Sequence, residues 1–553
     1  MTLLKQLLVF PLLFLSALLS AQDVGEYLRS DIEYLASDEL GGRLAGSDNE
    51  KLAANFIKQR FEEIGLGTLP QAESFFMPFT FSTPIELVDG KNYLECDGKA
   101  LDEEAFYVVP VSGDGKVKGA VIDIGFGISA PELDHDDLKD VDIEGKIILV
   151  NLGSPDGVHP HSRFLKYNSW RTRIELLAEK HPAAILCYNS NSEISVATLR
   201  RYNNLSRLSI PVLYLEDSGV EKVKPSRKLK LNTLLNQEQK ESLNVLAFLD
   251  KGSDKTVVIG AHYDHLGLGE YCNSRYIGPP AIHNGADDNA SGVALMLSLA
   301  QKLKEKEDEL SYNYLFMAFS AEELGLLGSK AFVNTEVFRK HRIHYMLNFD
   351  MVGRLNEQNE LGIFGSGTSS TWPKAFEQLD TAGFTINRNP SGMGSSDHTS
   401  FYLNDIPVLH FFTGTHVDYH KPSDDIDKIN IDGMARVLTL ATQLCLTVDD
   451  FAEIDFVKTK SNNSRKAPSF KVTLGIMPDY FGDDLGLKID GVSPGKPAEV
   501  AGLKKGDIII RMGETPIKDM MSYMEALANY DKGDNTIVVV LREGKQIELQ
   551  VAF

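Results

Sequence analysis

Cysteine and basic residues are both scarce in this chain. Four cysteines occur in 553 residues, at Cys96, Cys187, Cys272 and Cys445, and they are far apart with no Cys-x-x-Cys spacing. A disulfide framework is therefore not expected. Lys and Arg number 56 against 78 Asp and Glu, so the net charge is −22. A chain this acidic lacks the basic surface that binds nucleic acid or anionic membranes, and neither partner is expected.

Long apolar runs are absent after residue 21, so no stable membrane insertion is expected in the mature protein. Before that point, Lys5 precedes the apolar segment LLVFPLLFLSALLSA, and Ala21 is followed by polar sequence. A basic start, a short apolar segment and a small residue at its end are typical of a secretory signal peptide. A membrane anchor is the alternative interpretation. The signal-peptide interpretation predicts cleavage near Ala21 and a secreted or periplasmic protein.

Several common catalytic motifs are also missing. The sequence has no HExxH helix, no GxSxG turn, no P-loop and no GxGxxG after a predicted strand. Ser396, Asp397 and His398 are adjacent, but a catalytic triad requires residues that converge in space, which neighbours on one turn rarely do. These absences disfavour the serine hydrolases, the nucleotide-binding enzymes and the proteases with a helical zinc motif.

Changes in sequence texture divide the chain, which is too long for a single hydrophobic core. Apolar residues recur at helical spacing over 23–80, short apolar runs bounded by turn residues fill 85–240, and strands alternate with helices over 241–450. This alternation predicts an α/β fold, a three-layer sandwich with a mostly parallel central sheet. The predicted organisation is a signal peptide (1–21), an α/β domain (23–84 and 241–452), a β-rich insert (85–240), a linker (453–469) and a small β domain (470–553).

Acids and histidines follow the predicted strands of the α/β domain at the points where those strands end. They are His262 and Asp264, Glu322 and Glu323, Asp350, Asp287 and Asp288 in a loop that begins a helix, and His416 and His420. The carboxyl ends of strands in an open α/β sheet border the ligand crevice, so these side chains are expected to converge there. The alternative is that each one is a solvated loop end.

Convergence of these groups points to metal. Carboxylates and imidazoles without a thiolate suit zinc or another divalent ion, and a carboxylate bridging two ions about 3.5–4 Å apart makes a two-metal site. The adjacent Glu322 and Glu323 support this interpretation, because two like charges beside a buried strand repel unless a positive charge lies close to them.

The chain also resembles the di-zinc aminopeptidase family of metallopeptidases. The resemblance lies in six segments that occur in the family's order: GAHYDHLG, NGADDNASG, SAEELGLLGS, NFDMVG, SSDHTSF and DYHKPSDD. It implies a secreted or periplasmic zinc-dependent exopeptidase with two zinc ions per chain. An aminopeptidase acting on peptides with a free N-terminus is the leading interpretation.

The resemblance also implies roles for individual residues. One zinc is held by His262 and Asp350, the other by Glu323 and His420, with Asp287 bridging both and a cis peptide bond following that bridging residue. Glu322 is the general base, and Asp264 orients His262. Some relatives place an oxyanion-stabilising Tyr where Met393 stands here, and others use the Tyr before the last ligand His, so Tyr419 takes that role.

The other two blocks resemble known domains as well. The insert is similar to a protease-associated domain in segments such as DIEGKIILVNLG and IPVLYLED. The last block is similar to a bacterial PDZ domain. There, the loop of Leu485, Gly486 and Leu487 would bind the C-terminal carboxylate of a peptide or protein that adds to the sheet as a strand.

Other functions remain open from the sequence. A carboxypeptidase or dipeptidase on the same fold would need cations for the substrate carboxylate, and Arg354 is a candidate. An acyl cyclase of a related fold uses one zinc, which the full ligand set disfavours. A catalytically silent binding protein that uses its protease-associated and PDZ-like domains is the alternative from another class, and missing ligands would mark it.

Overall fold

The computed structural model describes most of the chain outside its first 23 residues. The described residues are 24–70, 72–157, 162–164, 167, 169–190, 207–271, 274–276, 278–381, 383–451, 453–459, 472–478, 486–492, 495–517, 520–527, 529–530, 533–542 and 545–553. The predicted signal peptide 1–21 therefore lies outside the described residues. Cys96, Cys187 and Cys445 are buried free thiols, and Cys272 also lies outside the described residues.

An eight-stranded sheet forms the centre of the α/β domain. The strands lie in the order Phe76–Ser82, Gln239–Leu249, Asn313–Phe319, Lys255–His262, Arg342–Phe349, Val408–Phe412, Glu360–Phe364 and Thr385–Asn389. The four strands from Asn313–Phe319 to Val408–Phe412 are parallel to one another. Three antiparallel pairings flank them, so the predicted α/β fold is confirmed and its sheet is mixed.

The order of the central strands creates a crevice. From Lys255–His262 the chain passes to Asn313–Phe319 on one side of that strand, and then to Arg342–Phe349 on its other side. Such a reversal separates the loops at the carboxyl ends of the strands and opens a ligand crevice between them. The acids and histidines predicted to converge lie in these loops.

Helices cover both faces of this sheet and complete three layers. One face packs against residues 24–35, Asp48–Ile64, Gly292–Glu305, Thr371–Phe376 and Ile431–Asp449, and the other against Leu327–Val333, Glu336–Lys340 and His398–Tyr402. Alternate strand residues such as Val257 and Val258 enter the two cores, as the pleat of a strand requires. Helix Asp48–Ile64 shows how local sequence sets the boundaries. Ser47 accepts a hydrogen bond from the Glu50 nitrogen, and Gly65 ends the helix at φ 81°.

One of these helices has the composition of a membrane span. Ile431–Asp449 has 19 residues with a mean hydropathy of 1.2, and it is the one such helix among the described residues. Its apolar side chains, including Met434, Leu438 and Leu444, are buried in the core between the helices and the sheet. Its hydropathy is therefore accounted for by packing inside the α/β domain.

The segment 23–80 is not helical throughout. Its last part forms the edge strand Phe76–Ser82, which pairs antiparallel with Gln239–Leu249. The run FMPFTFS is rich in aromatic residues that favour strands, and Pro78 is tolerated because the strand lies at an edge. The chain leaves the central sheet after Ser82 and returns at Gln239, which places the insert between these two strands.

The insert is built on two sheets of its own. A five-stranded sheet has the order Phe106–Val108, Val212–Leu215, Ala184–Tyr188, Ile147–Asn151 and Val121–Asp123, and a four-stranded sheet has the order Lys99–Ala100, Tyr93–Cys96, Leu229–Thr233 and Gly115–Gly119. Two short pairs, Glu86–Leu87 with Leu235–Asn236 and Ser129–Ala130 with His135–Asp136, complete the described strands. The described helices here are Trp170–Ala178 and Asp217–Val223.

The C-terminal module is a small β domain with its own core. Its main strands are Ile476–Pro478, Leu487–Val492, Ile508–Met512, Asn535–Arg542 and Lys545–Ala552, with Thr515–Pro516 pairing beside Ile508–Met512 and the helices Pro497–Ala501 and Met520–Leu527. Residues such as Ile489, Ile509 and Val540 are fully buried between these elements.

The predicted linker begins too early. Residues 453–459 pack on the α/β domain: Ile454 is buried, and Asp455 Oδ1 accepts a hydrogen bond from Ser369 Oγ at 2.7 Å. The nitrogen of Val457 also donates to the carbonyl of Thr368 at 2.8 Å. The polar run typical of a linker starts only at Lys458, so the predicted boundary at 453 included a segment that is not part of that run.

Candidate metal centre

His262 and Asp264 lie at the end of strand Lys255–His262, and both are buried. His262 Nδ1 lies 3.2 Å from the backbone oxygen of Asp264. A proton on Nδ1 satisfies that contact and leaves the Nε2 lone pair facing the crevice. The Asp264 carboxylate accepts hydrogen bonds from the backbone nitrogens of Glu322 (3.0 Å) and Glu323 (3.3 Å), while its Oδ1 is 3.7 Å from His262 Nδ1. Asp264 therefore joins two strand ends, and its side chain mainly positions the glutamate pair.

Glu322 and Glu323 both face the crevice because the backbone turns just before them. Ala321 adopts φ 53°, in the left-handed region, directly after strand Asn313–Phe319 and Ser320. Glu322 Oε2 lies 4.0 Å from His262 Nε2, and Glu323 Oε2 lies 3.2 Å from His420 Nε2. The two neighbouring acids thus lie against different histidines.

Burial raises the pKa of the Glu322 carboxyl well above its ordinary value, with the charge of His262 opposing the shift and that of Asp350 adding to it. Burial also acts to raise the pKa of Glu323, but the imidazoles of His420 and His265 outweigh it, so this pKa lies below the ordinary value. The environment thus shifts the pKa values of the two neighbouring acids in opposite directions, an arrangement typical of acid–base sites.

Asp288 occupies the centre of the cluster. Its Oδ1 lies 3.3 Å from His262 Nε2, and its Oδ2 lies 3.3 Å from His420 Nε2. On the side of His262, Asp350 Oδ1 is 3.5 Å from His262 Nε2. One carboxylate therefore faces both halves of the site. The cis peptide bond in this loop joins Asp288 to Asn289.

The structure does not place Asp287 where the sequence predicted it. Its Oδ1 accepts hydrogen bonds from the Gly353 nitrogen at 2.7 Å and from Ser291 Oγ at 3.0 Å, and its Oδ2 is 3.2 Å from His416 Nε2. Asp288 has extended backbone, φ −106° and ψ 90°, so its side chain and that of Asp287 point in opposite directions. The predicted bridging residue and the predicted cis bond, Asp287–Asp288, are each one position too early.

The geometry of the cluster fits a pair of zinc ions that share Asp288. The donors are imidazole nitrogens and carboxylate oxygens, which zinc accepts at about 2.0–2.2 Å, so two ligands of a tetrahedral zinc lie about 3.4 Å apart. The nitrogen–oxygen separations above span 3.2–3.5 Å. Charged hydrogen bonds are shorter, at about 2.7–2.9 Å. One donor set contains His262, Asp288 and Asp350, which lie within 4.8 Å of one another. On the other side, His420 Nε2 faces both Asp288 and Glu323, and His265 also has a ring nitrogen within 4.8 Å of an oxygen of each of these acids.

Asp424, which the sequence did not single out as a site residue, anchors the loop that carries Asp288. It is fully buried, and its Oδ2 accepts hydrogen bonds from the backbone nitrogens of Asp287 at 2.9 Å and Asp288 at 3.0 Å. Arg354 Nη2 contacts Asp418 Oδ2 at 3.1 Å and Asp424 Oδ1 at 3.4 Å. The Arg354 charge is therefore already balanced by two acids of the protein.

Arg43 binds the backbone of the loops that carry Asp264 and Asp288. It is 1% exposed, and its guanidinium donates to the carbonyls of Tyr263 at 2.7 Å, Asn284 at 2.7 Å and Gly285 at 3.1 Å, as well as to that of Leu35. Burial lowers the pKa of Arg43 to about 10 while the acids of the site oppose the shift, so the side chain stays charged. In the sequence, Arg43 stands among glycines in the segment 23–80, which was predicted to be helical. An isolated Arg among glycines was the one feature that could have marked it.

Tyr419 packs against the last histidine of the cluster. Its ring centroid lies 3.9 Å from that of His420, and Arg275 lies 4.7 Å above the Tyr419 ring. Burial raises the pKa of the phenol well above its ordinary value, and the nearby acids add to the shift. Tyr419 is therefore a protonated phenol beside the cluster, whereas Met393 is half-buried and packs against a hydrophobic core of the α/β domain.

The predicted peptide loop of the C-terminal module is described only in part. Leu485 lies outside the described residues. Gly486 is buried, and Leu487 begins strand Leu487–Val492, which pairs with Ile508–Met512 and with Ile476–Pro478.

Comparisons with known proteins agree with this division of the chain. Residues 244–445 match the family model described as peptidase family M28, and residues 454–553 match the PDZ domain model. The second match begins in the segment 454–459, which packs on the α/β domain in the structure. Its buried contacts assign that segment to the α/β domain, because the small β domain begins its own strands only at Ile476.

Several proteins with aminopeptidase names are similar to this chain in sequence or structure. Aminopeptidase YwaD of Bacillus subtilis is 25% identical over 423 residues, which cover 73% of this chain and 81% of YwaD. A probable leucine aminopeptidase 2 of Arthroderma benhamiae is 30% identical over 199 residues, 34% of this chain and 37% of that protein. A solved structure, BSAP, described as a zinc aminopeptidase from Bacillus subtilis, is 23% identical and covers 79% of this chain and 96% of its own, with a TM-score of 0.45.

Proposed function

We propose that this chain, whose residues 244–445 match the model of peptidase family M28, belongs to that family and is a zinc-dependent aminopeptidase. Its relatives carry aminopeptidase names, which supports a hydrolase that removes N-terminal residues from peptides. The observation that carries the proposal is the position of Glu322. This buried acid lies 4.0 Å from His262 Nε2, beyond the separations of the other acid–histidine pairs at the centre of the cluster.

The proposed ligands follow from the geometry of the cluster. His262 and Asp350 would hold one zinc, Glu323 and His420 would hold the other, and Asp288, in place of Asp287, would be the ligand common to both. Zinc, when bound, polarises a carbonyl oxygen and lowers the pKa of water toward neutrality. Asp264, Asp424 and Arg43 touch the loops of these residues through hydrogen bonds, and their role is to fix the positions of the ligands.

Glu322 and Tyr419 are proposed to carry out proton transfer and to stabilise the oxyanion. Glu322 accepts the proton of the attacking water and passes it to the leaving amine. Burial raises the pKa of Glu322 well above its ordinary value, which makes it the more basic of the two neighbouring glutamates. Tyr419 donates its phenol proton in a hydrogen bond to the developing oxyanion. The substrate ammonium is attracted by the excess of acids around the cluster, which makes a free N-terminus the expected requirement.

A matched panel of substrates tests this function. Leucine p-nitroanilide, its N-acetyl derivative and an N-acetylated dipeptide with a free carboxylate are compared on the full chain loaded with zinc. The proposal requires rapid release of p-nitroaniline from the first compound alone. Cleavage of the N-acetylated dipeptide, with leucine p-nitroanilide left intact, would establish a carboxypeptidase instead.

Two alternatives have less support. A carboxypeptidase needs a cation for the substrate carboxylate, and Arg354, the candidate from sequence, is already paired with Asp418 and Asp424. A silent binding protein would lack donors at the centre, yet each proposed ligand position holds a carboxylate or an imidazole.

Export and peptide docking complete the proposal. The basic, apolar and small-residue pattern of residues 1–21 supports secretion or periplasmic export after cleavage near Ala21. The insert is proposed to be protease-associated in type. The PDZ match supports docking of a peptide or protein C-terminus at the module, with Leu485, Gly486 and Leu487 as the carboxylate loop.

A further inference from the structure

His265 is a buried histidine beside the cluster to which the proposed mechanism gives no role. It follows Asp264 directly in the chain and is 1% exposed. Its Nδ1 lies 2.8 Å from Glu323 Oε1, whereas the other oxygen of that glutamate, Oε2, faces His420 at 3.2 Å. The two oxygens of Glu323 therefore have different neighbours, one on each side of the carboxylate.

The distances separate two kinds of contact. The acid–histidine pairs assigned to zinc lie 3.2–3.5 Å apart, as two ligands of one ion do. The contact between His265 and Glu323 is a hydrogen bond of 2.8 Å, and His265 Nδ1 is 3.9 Å from Asp288 Oδ2, too far for a pair of ligands on one tetrahedral ion.

The surroundings fix the ring of His265. Its backbone nitrogen donates to the carbonyl of Arg43 at 3.2 Å, and Leu44 pairs with His265 as an isolated bridge. On the other side, a Cβ atom placed on Gly285 would lie 2.5 Å from Cδ2 of the ring, so that glycine backs directly onto the imidazole. Among the described residues Nε2 has no hydrogen-bond partner. A proton on Nδ1 fits this setting, because Nδ1–H can then donate to Glu323 Oε1 and Nε2 carries only a lone pair. A proton on Nε2 would instead be a buried N–H with no acceptor among the described residues.

We propose that His265 is a positioning residue for the second zinc: Nδ1–H donates to Glu323 Oε1 and holds the carboxylate so that Oε2 alone ligates the ion beside His420. This inference rests on the zinc site of the proposed function. It assigns Glu323 the type of support that metal-bound histidines commonly receive from a hydrogen-bonded partner. Without the donor, the carboxylate is free to rotate about its last bond, and Oε2 loses its fixed direction.

A pair of amide substitutions separates the two ring nitrogens. The side-chain nitrogen of Asn lies close to the place of Nδ1, and that of Gln close to the place of Nε2. Each variant and the wild-type full chain are stripped of metal with a chelator and titrated with zinc against a fluorescent chelator of known affinity. His265→Gln should weaken one of the two zinc equivalents by about 10–100-fold, the usual loss for a supporting residue, and leave the other close to its wild-type affinity. His265→Asn should restore the weakened equivalent to within a few-fold of wild type.

The outcomes distinguish the inference from the function on which it rests. Equal weakening in His265→Asn and His265→Gln, or no weakening in either, overturns the donor role of Nδ1. A complete loss of one zinc in both variants would make His265 a ligand itself. Failure of the wild-type chain to bind two zinc ions would overturn the proposed function first. Thermal unfolding of the metal-free variants, compared with metal-free wild type, shows that each one folds, and Glu323→Ala provides the reference for outright ligand loss.

Discussion

Asp424 holds the backbone of Asp288 through a hydrogen bond of 3.0 Å between Oδ2 and the amide nitrogen. Asp424 comes four residues after His420, so one buried carboxylate links the loop of a proposed ligand to the loop of the proposed bridge. Loops that carry function depend on such fixed supports, because their own backbone has few other constraints. The relationship gives Asp424 a measurable role although its side chain is not among the proposed ligands.

Asp424→Ala should weaken binding of both zinc ions, since Asp288 is proposed to touch both. Loss of a supporting residue typically costs about 10–100-fold in metal affinity, and turnover at limiting zinc should fall with it. Competition titration with a chelator measures the two affinities. Asp427→Asn, an exposed acid on the same loop, is the matched control and should leave both affinities unchanged. Equal affinities in Asp424→Ala and this control would show that the loop needs no such anchor.

Asp288→Ala should remove both zinc ions, whereas Asp287→Ala should keep two per chain. Asp288 is the carboxylate with an oxygen on each side of the cluster, but Asp287 bonds to the Gly353 nitrogen and faces His416. Zinc content after gel filtration in metal-free buffer decides between them. The Asp287 variant should unfold at a lower temperature, because a buried N–H loses its acceptor at a cost of about 1–3 kcal/mol. The reverse metal contents would restore the sequence-based assignment of Asp287.

Asp287 and Asp288 could not be told apart from the sequence. His262, Glu322, Glu323, Asp350 and His420 stand at strand ends, which parallel strands bring to one edge of the sheet, and the family resemblance then implies the role of each. For two adjacent aspartates in one loop, position at a strand end does not distinguish one from the other. Which of them faces the crevice depends on the backbone dihedrals of Asp288, which two identical neighbouring side chains do not reveal.

The supporting residues were missed for a related reason. His265 follows His262 and Asp264 at the end of the same strand. A third polar side chain at that strand end was the one feature of the sequence that could have marked it as part of the site. Arg43 and Asp424 act through backbone atoms of distant segments, so no spacing in the sequence marks them. Residues 453–459 fall inside the predicted linker although its polar run begins only at Lys458, and in the structure Ile454 is buried in one core of the α/β domain while Phe456 packs against the other.

The two glutamates should separate by function when they are replaced. Glu323→Ala removes a proposed ligand, so zinc content and activity should fall together. Glu322→Gln keeps the size of the side chain but cannot accept a proton, and loss of a general base costs about 10²–10⁴-fold in rate. Zinc content and kcat are measured on both variants. Near-normal kcat in Glu322→Gln contradicts its role as the base, and loss of metal in that variant would mean that the two glutamates are reversed.

Arg43→Met should destabilise the α/β domain strongly. Removal of the guanidinium takes this donor from the carbonyls of Leu35, Tyr263 and Asn284. Each such group costs about 1–3 kcal/mol, so a total of at least about 3 kcal/mol is expected. Calorimetry should show a fall in Tm of roughly 6–12 °C for the domain transition. Arg29→Met, on a side chain that is 54% exposed, is the control. A Tm shift no larger than that of the control would contradict a supporting role for Arg43.

Two truncations locate the end of the α/β domain. A chain ending after Thr459 keeps the buried Ile454 and the hydrogen bond from the Val457 nitrogen to Thr368, so it should fold and cleave leucine p-nitroanilide at close to the full-length rate. A chain ending after Asp450 exposes the apolar surface that Ile454 and Phe456 cover, and it should unfold at a lower temperature. Equal melting temperatures would show that residues 453–459 are a linker after all. A folded but inactive chain ending after Thr459 would make the C-terminal module part of the active site, because no other change separates it from the active full-length protein.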